Sequence, residues 1–153
     1  MRFEYIDPFV NSTIDVLHSF IPSDITRGAL SLRSGYEMQY DIAVGINLSG
    51  DSEGSVFLNM TTETAVKLCN LMNGVELDAL TSLGLDSISE LANMITGNAT
   101  SVLNDMGFGL EVHPPLVAAN GGEAARTFEV EIFQIPLFTE CGEIKVNIAL
   151  KTN

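Results

Sequence analysis

The sequence predicts an α/β (α+β) two-layer fold, with helices packed on one face of a mixed or antiparallel sheet of about six strands. Several segments repeat apolar residues at three- and four-residue steps, which is typical of amphipathic helices. Others alternate apolar and polar residues, which is typical of half-buried strands. At 153 residues the chain has the length of one domain, and we expect a single domain over residues 1–153.

The first helical pattern begins at Asp7-Pro8. This pair predicts a helix start with Asp7 as the N-cap and Pro8 at the first helical position. The apolar stripe that follows stops at Pro22, which ends the helix. A short strand is predicted next, near Ala29–Arg33.

Two hairpins are predicted from alternating apolar residues. The first covers Tyr40–Met60, with a Gly-, Ser- and Asp-rich turn at Ser49–Gly54. The second lies near the end of the chain, and Pro136 and Gly142 are expected in its turn. The alternating residues of the two hairpins are Met38, Tyr40, Ile42, Val44, Ile46, Leu48, Val56, Leu58 and Met60, then Phe128, Val130, Ile132, Ile144, Val146, Ile148 and Leu150.

Between the hairpins, Thr61 is expected to cap a helix that Asn73-Gly74 ends. Val75–Leu85 fits either a loop or the irregular start of the next helix, because Gly84 weakens a helical reading. Beyond that next helix, Gly107–Val112 predicts a short strand that ends before Pro114-Pro115.

The long helix predicted at Asp86–Met106 is the centre of the chain. Its apolar stripe consists of Ile88, Leu91, Ala92, Ile95, Ala99, Val102, Leu103 and Met106. At about 100° per residue, Glu90, Asn93 and Gly97 fall near the opposite pole, where Asp86 and Asn104 could form a rim. The helix would thus hold the sheet with one face and offer a carboxylate and a carboxamide with the other.

A structural interpretation of the same residues stays open. Ser87-x-x-Glu90 fits a capping box, with Ser87 as the N-cap and Glu90 reaching back to its amide. Asn93 would then be an ordinary exposed residue. On spacing alone this interpretation is favoured, because a short motif needs its structural context.

The decamer E-L-A-N-M-I-T-G-N-A, from Glu90 to Ala99, resembles the E-x-x-N signature of the CheC/CheX/FliY family, most closely its CheX-type members. The likeness extends in order to Y-I-D-P-F at Tyr5–Phe9, L-S-G-x-x-x-G at Leu48–Gly54, and Pro114-Pro115. These families are chemotaxis phosphatases that dephosphorylate the response regulator CheY.

The resemblance implies a protein aspartyl-phosphate phosphatase that acts on a CheY-type receiver domain in chemotaxis signalling. Glu90 would grip the receiver and Asn93 would orient the attacking water, while Asp86, Gly97 and Asn98 would lie at the interface with the substrate protein. No cofactor of its own is expected, since Mg²⁺ is carried by the receiver. A homodimer joined through the sheets is implied in the same way.

The two halves of the chain show a faint duplication. Asn98–Met106 resembles Asn11–Ser19 in pattern, and that alignment sets Glu90 and Asn93 against Phe3 and Ile6. We therefore expect two pseudo-repeated halves and one site. This agrees with the resemblance, because CheC-like members often have two such sites and CheX-like members have one.

Composition limits the partners. Seven basic residues against twenty acidic ones give a net charge of −13, which argues against nucleic acid and anionic lipid. No apolar run reaches the ~20 residues that span a bilayer, and Met1–Pro8 does not read as a signal peptide, so a cytoplasmic location is expected. Cys69 and Cys141 have no ligand spacing, which predicts free thiols and no metal site.

Two other functions remain as alternatives to the phosphatase. The same helix face could serve a non-catalytic module that binds a receiver or a flagellar-switch component, in which case no water would be oriented. A plain dimerising structural domain is the third possibility. Intact Glu90 and Asn93 favour the enzyme, since a pure adaptor has no need of both.

Overall fold

The computed structural model describes residues 3–34, 39–119 and 131–152. Its helices are α1 (Ile6–His18), which follows a 3₁₀ turn at Phe3–Tyr5, α2 (Thr62–Asn73) and α3 (Ser82–Asp105). Its strands are β1 (Thr26–Arg27), β2 (Ser31–Ser34), β3 (Ile42–Gly50), β4 (Ser52–Met60), β5 (Leu110–Val112), β6 (Leu116–Ala119), β7 (Glu131–Thr139) and β8 (Gly142–Thr152). The predictions made for Met38, Phe128 and Val130 lie outside the described residues.

The strands form one sheet in which every described pairing is antiparallel. The order is β1-β7-β8-β4-β3-β5, while β2 also pairs with β7 and β6 also pairs with β3. The three helices pack on one side of this sheet. The predicted fold class is therefore confirmed, with eight described strands in place of about six.

The two halves interlock at the sheet edges. Hairpins β3–β4 and β7–β8 meet where β4 pairs with β8. Strands β1 and β2 of the first half lie on β7 of the second, and β5 and β6 of the second half lie on β3 of the first. On the helical side α1 packs against α3, so the arrangement follows the predicted pseudo-repeat.

The core lies between the helices and the inward face of the sheet. Helix α3 inserts Ile88, Leu91, Ile95 and Leu103 into it, all of them essentially inaccessible to solvent. On the opposite face Phe57 lies across Gly45, its cross-strand partner, and a Cβ on that glycine would stand 2.6 Å from the ring. That close cover fixes the register of the central hairpin.

Both predicted hairpins are present, but Pro136 is not in a turn. It lies within β7 and pairs with Lys145, and the turn is made by Glu140 and Cys141. In an antiparallel strand the N–H and C=O of a residue point to the same neighbour. The Pro136 carbonyl accepts from the Gly28 amide at 2.8 Å. The position where Pro136 lacks an N–H therefore faces the same neighbour, at the interruption between β1 and β2 where strand pairing is not continuous.

Helix α2 begins and ends as predicted. The Thr61 side chain accepts from the Thr64 amide at 3.1 Å, and Gly74 closes the helix in the left-handed conformation at φ 63°. Asp41 adds a second cap, accepting from both the amide and the hydroxyl of Thr62. The side-chain hydrogen bond from Thr62 lowers the pKa of Asp41 despite some opposing burial.

The first helix begins two residues before its predicted start. The 3₁₀ turn at Phe3–Tyr5 runs directly into α1 at Ile6, so Asp7 is already helical and Tyr5 takes the N-cap position. Asp7 instead accepts from Arg27 at 3.1 Å, which ties α1 to β1. The predicted strand near Ala29–Arg33 corresponds to β2, shifted by one to two residues.

Candidate functional site

The long helix begins four residues before its predicted start, at Ser82, and has 24 residues. Gly84 is buried within it, and a Cβ there would meet Leu80 at 2.6 Å, so close packing explains a glycine that sequence patterns read as a breaker. Ser87 therefore lies inside the helix, where its hydroxyl donates to the Leu83 carbonyl at 2.8 Å. The capping-box interpretation of Ser87 and Glu90 is wrong.

Glu90 and Asn93 lie on the water face of α3, and both are exposed. Neither side chain makes a hydrogen bond or an ion pair to another described residue. Residues three apart on a helix are neighbours, and the flanking Leu91 and Ala92 are buried in the core. A carboxylate and a carboxamide are thus presented side by side from a rigid support.

The other predicted interface residues border this pair. Asp86 and Asn98 are exposed and Gly97 is partly exposed. A Cβ on Gly97 would meet nothing within 4 Å, so packing within the described chain does not require this glycine. Asn104 has a structural role, since its amide bonds both the N–H and the C=O of Leu110.

Two residues assigned to the apolar stripe of α3 do not reach the core. Val102 and Met106 are 46% and 55% exposed. They occupy the edge of the apolar arc near the C-terminal end of the helix, where they line an open groove against α1. Leu103 and Ala99 provide the buried contacts at this end.

A groove of about 470 Å³ borders the Glu90 side of the pair. Its wall contains four apolar side chains and two acidic ones: Phe20, Met72, Leu83 and Met94, with Asp86 and Glu90. No described basic residue lines it. The groove lies where the end of α2 and the residue Phe20 beyond α1 approach the first half of α3.

The base of this groove is fixed by a hydrogen-bonded contact between α2 and α3. The Asn73 amide nitrogen donates to the Ser87 hydroxyl at 2.8 Å and to the Cys69 carbonyl at 2.9 Å. It also lies 3.6 Å from the Cys69 sulfur. Ser87 precedes Glu90 by one helical turn, so this contact sets the position of the segment that carries Glu90.

Comparisons with known proteins agree with this arrangement. The family model described as "Chemotaxis phosphatase CheX" matches residues 42–137, which include the central hairpin, α2 and all of α3. The chain belongs to the chemotaxis phosphatase CheX family. It is 26% identical over 133 residues to the CheY-P phosphatase CheX of Thermotoga maritima, covering 86% of this chain and 85% of that one.

Solved structures of chemotaxis proteins are similar over nearly the whole chain. A chain of the CheX-CheY-BeF3-Mg²⁺ complex from Borrelia burgdorferi is 26% identical with a TM-score of 0.85, covering 98% of this chain and 99% of that one. A putative chemotaxis protein from Desulfovibrio vulgaris Hildenborough is 25% identical with a TM-score of 0.83, covering 97% of each.

In this CheX-family chain the sequence signature located Glu90 and Asn93, but it missed the groove beside them. Leu83 and Asn73 lie in or next to Val75–Leu85, the stretch whose structure the pattern left open. The sequence held one signal for the groove. Leu83 stands seven residues before Glu90, so a helix that included it would place an apolar side chain on the face of Glu90, two turns away. Both cysteines are free, as predicted, and the structure buries both of them.

The described residues contain no group of three or more His, Cys, Asp or Glu side chains that could hold a metal ion. None of the described helices is both long enough and apolar enough to cross a membrane.

Proposed function

We propose that this protein hydrolyses the aspartyl phosphate of a CheY-type receiver domain in chemotaxis signalling, with Glu90 gripping the receiver and Asn93 orienting the attacking water. One observation above all supports this: within a CheX-family fold, the E-x-x-N pair is exposed, free of described partners and held on a helix whose other face is core. The reaction is inferred from the relative in Thermotoga maritima, which is a CheY-P phosphatase.

Asn93 suits the positioning of water. Hydrolysis of an acyl phosphate needs a water molecule in line with the leaving carboxylate, and catalysis of such transfers is mostly positioning and charge stabilisation. A carboxamide offers one acceptor and two donors with no net charge. It can therefore hold a water molecule beside a dianionic phosphoryl group without the repulsion that a second carboxylate would bring.

Glu90 suits the grip. An exposed carboxylate with no ion-pair partner among the described residues is available for a charge-assisted hydrogen bond to a cationic side chain of the receiver. Placed one turn from Asn93, it would fix the distance between that anchor and the water. Asp86, Gly97 and Asn98 would form the surrounding contact, and the open space at Gly97 leaves room for receiver backbone.

No cofactor of its own is part of this proposal, because the Mg²⁺ belongs to the receiver substrate. A cytoplasmic location follows from that substrate. A homodimer joined through the sheets is also proposed. Apolar side chains exposed at the two sheet edges support it, namely Leu32 on β2, and Val112 and Leu116 on β5 and β6. Native mass spectrometry would test it, and a monomer at micromolar concentration would count against it.

The decisive experiment compares phosphate release from a CheY-type receiver of the same organism, charged with acetyl phosphate, in the presence of wild type and of Asn93→Ala. We expect wild type to accelerate release and Asn93→Ala to reduce turnover at saturating receiver by at least about 100-fold, because water is no longer positioned. Binding should survive. Asn11→Ala, at an exposed asparagine of α1, is the matched control and should behave as wild type.

The same assay distinguishes the enzyme from a non-catalytic module that binds a receiver or a flagellar-switch component, and it tests the roles of Asn93 and Glu90. Binding of the receiver without faster phosphate release would support the module. Full activity in Asn93→Ala would refute the assigned role of Asn93. Glu90→Gln should raise KM with a smaller effect on kcat, since it removes the charge and keeps the shape.

A further inference from the structure

The groove beside Glu90 differs from a comparable groove at the other end of α3. That second groove, of about 440 Å³, lies against α1 and is also lined by apolar and acidic side chains, including Val102, Asp7 and Asp15. Of the two aspartates, Asp7 is paired with Arg27 at 3.1 Å, and Asp15 is not paired with a described basic residue. In the first groove neither Asp86 nor Glu90 has a basic partner among the described residues.

Position also distinguishes the two grooves. At about 100° per residue, Leu83 projects within about 20° of Glu90, whereas Val102 projects about 120° away. Glu90 is itself part of the first groove wall. A protein that reaches Glu90 must therefore cover this groove, while the second groove faces another direction.

We propose that the groove formed by Phe20, Met72, Leu83 and Met94 receives an apolar side chain of the phosphorylated receiver, next to a cationic residue that pairs with Asp86. This inference rests on the proposed function. It assigns the affinity for the receiver, and the discrimination among receivers, to a surface separate from Asn93. Charge complementarity supports a basic and apolar occupant, because the acids of the wall lack partners among the described residues.

The composition of the wall fits a docking surface. Leu83 is 42% exposed, so an incoming side chain would remove much of its surface from water. Met72 and Met94 are partly buried, and methionine adapts its shape to a partner more readily than branched side chains do. The Asn73–Ser87 contact holds the base of the groove, so binding needs little rearrangement.

The test measures binding and turnover separately in matched variants. Leu83→Ala and Leu83→Lys are compared with Val102→Ala and Val102→Lys, which alter an equally exposed apolar residue of the same helix. Affinity is measured by calorimetry with the CheY-type receiver loaded with BeF₃⁻ and Mg²⁺, and turnover with the same receiver charged by acetyl phosphate. Thermal unfolding of each variant confirms that it is folded.

We expect Leu83→Ala to raise Kd and KM about five- to tenfold, with kcat unchanged, because its contact serves binding alone. Leu83→Lys should raise them further by opposing the cationic partner. Both Val102 variants should match wild type. An Asp86→Asn variant should weaken binding more than Asp105→Asn does.

Other outcomes overturn the inference. Equal affinity in the Leu83 and Val102 variants would exclude the groove as a receiver contact. A native mass that falls from dimer to monomer in Leu83→Lys alone would assign the groove to a second copy of the chain. If wild type binds the receiver without hydrolysing it, the proposed function fails while the Leu83 variants still decide the groove.

Discussion

Helices α1 and α3 occupy related places in the two halves, yet they are used differently. The alignment of Asn11 with Asn98, an offset of 87 residues, sets α1 (Ile6–His18) against 93–105, the second half of α3. Helix α3 extends three further turns at its start, and Glu90 lies on that extension. The alignment sets 90–92 of that extension against the 3₁₀ turn at Phe3–Tyr5.

The aligned positions of the two helices differ in their use. Asn93 is exposed, whereas Ile6 at the matching position is only 3% exposed and belongs to the core. The extension is supported by α2, through the contact between Asn73 and Ser87. One half thus keeps a polar pair in water, and the other uses the same position for packing.

Exchanging the residues at the two matching positions should give the largest effects. The change at position 6 should lower stability, and the change at position 93 should remove phosphate release. Ile6→Asn should lower the free energy of unfolding by about 3–5 kcal/mol, because it removes buried apolar surface and strands an amide. Turnover of the remaining folded protein should be unchanged. Asn93→Ile should keep or raise stability and abolish phosphate release.

Urea unfolding and the receiver assay together measure this exchange. Conservative Ile6→Val is the control and should cost about 1 kcal/mol. Loss of turnover in folded Ile6→Asn would show that both halves contribute to the site and would break the comparison.

Removal of the contact that supports the extension should have the next largest effect. Asn73→Ala deletes the hydrogen bonds to Ser87 and Cys69, and should lower the free energy of unfolding by about 1–2 kcal/mol. Hydrogen exchange should rise at the amides of 82–90 before it rises in 93–105. Equal protection along the whole helix would contradict a separately supported extension.

The starts of α2 and α3 differ in their caps, and this predicts a pH dependence. Asp41 accepts from Thr62 at the start of α2, whereas the Thr81 side chain makes no capping bond at the start of α3. Because the pKa of Asp41 is lowered in the folded state, its contribution is present above about pH 4 and is lost as pH falls through the folded pKa.

Asp41→Asn should therefore cost about 1 kcal/mol at pH 7 and progressively less in acid, where the wild-type carboxyl is protonated as well. Thr81→Ala is the control and should change stability by less than about 0.5 kcal/mol. Thermal unfolding between pH 3 and 7 measures both. If the loss of stability in Asp41→Asn does not vary with pH, the negative charge of Asp41 does not contribute to the cap.

Gly97→Ala should have the smallest effect. Because a Cβ there meets nothing within 4 Å, alanine should stabilise the protein by about 0.5–1 kcal/mol through its higher helix propensity. Receiver affinity should fall if that space is used by receiver backbone. Higher stability with unchanged affinity would leave Gly97 without an interface role.

Much of the fold was predictable because its signals are local. Alternating apolar residues over Ile42–Leu48 and Val56–Met60 predicted the central hairpin. The capping residues Thr61 and Gly74 predicted where α2 begins and ends. The prediction of a turn at Pro136 is wrong, because this proline lies within β7. Its position in β7 depends on the break opposite it near Gly28, a contact between distant parts of the chain that no local pattern contains.

The site was predictable where it depends on one helix and not where two elements meet. The exposure of Glu90 and Asn93 on one face of α3 followed from helical spacing, whereas their assigned roles rest on the family signature. The start of α3 did not follow from spacing, since Gly84 fits there only because Leu80 packs against it. The groove needs α2 and Phe20 beside α3, so tertiary packing defines it.

The exchange of edge strands between the halves bears on how the chain folds during synthesis. Strand β2 finds its partner on β7, with Ser31 opposite Gln134, about a hundred residues later. The first half cannot complete its own sheet edge while β7 is still within the ribosome. Pairing over such separations is slow compared with helix formation. The nascent chain therefore completes this sheet edge only after β7 has been synthesised and has left the ribosome, and a ribosome stalled before β7 would hold an open edge.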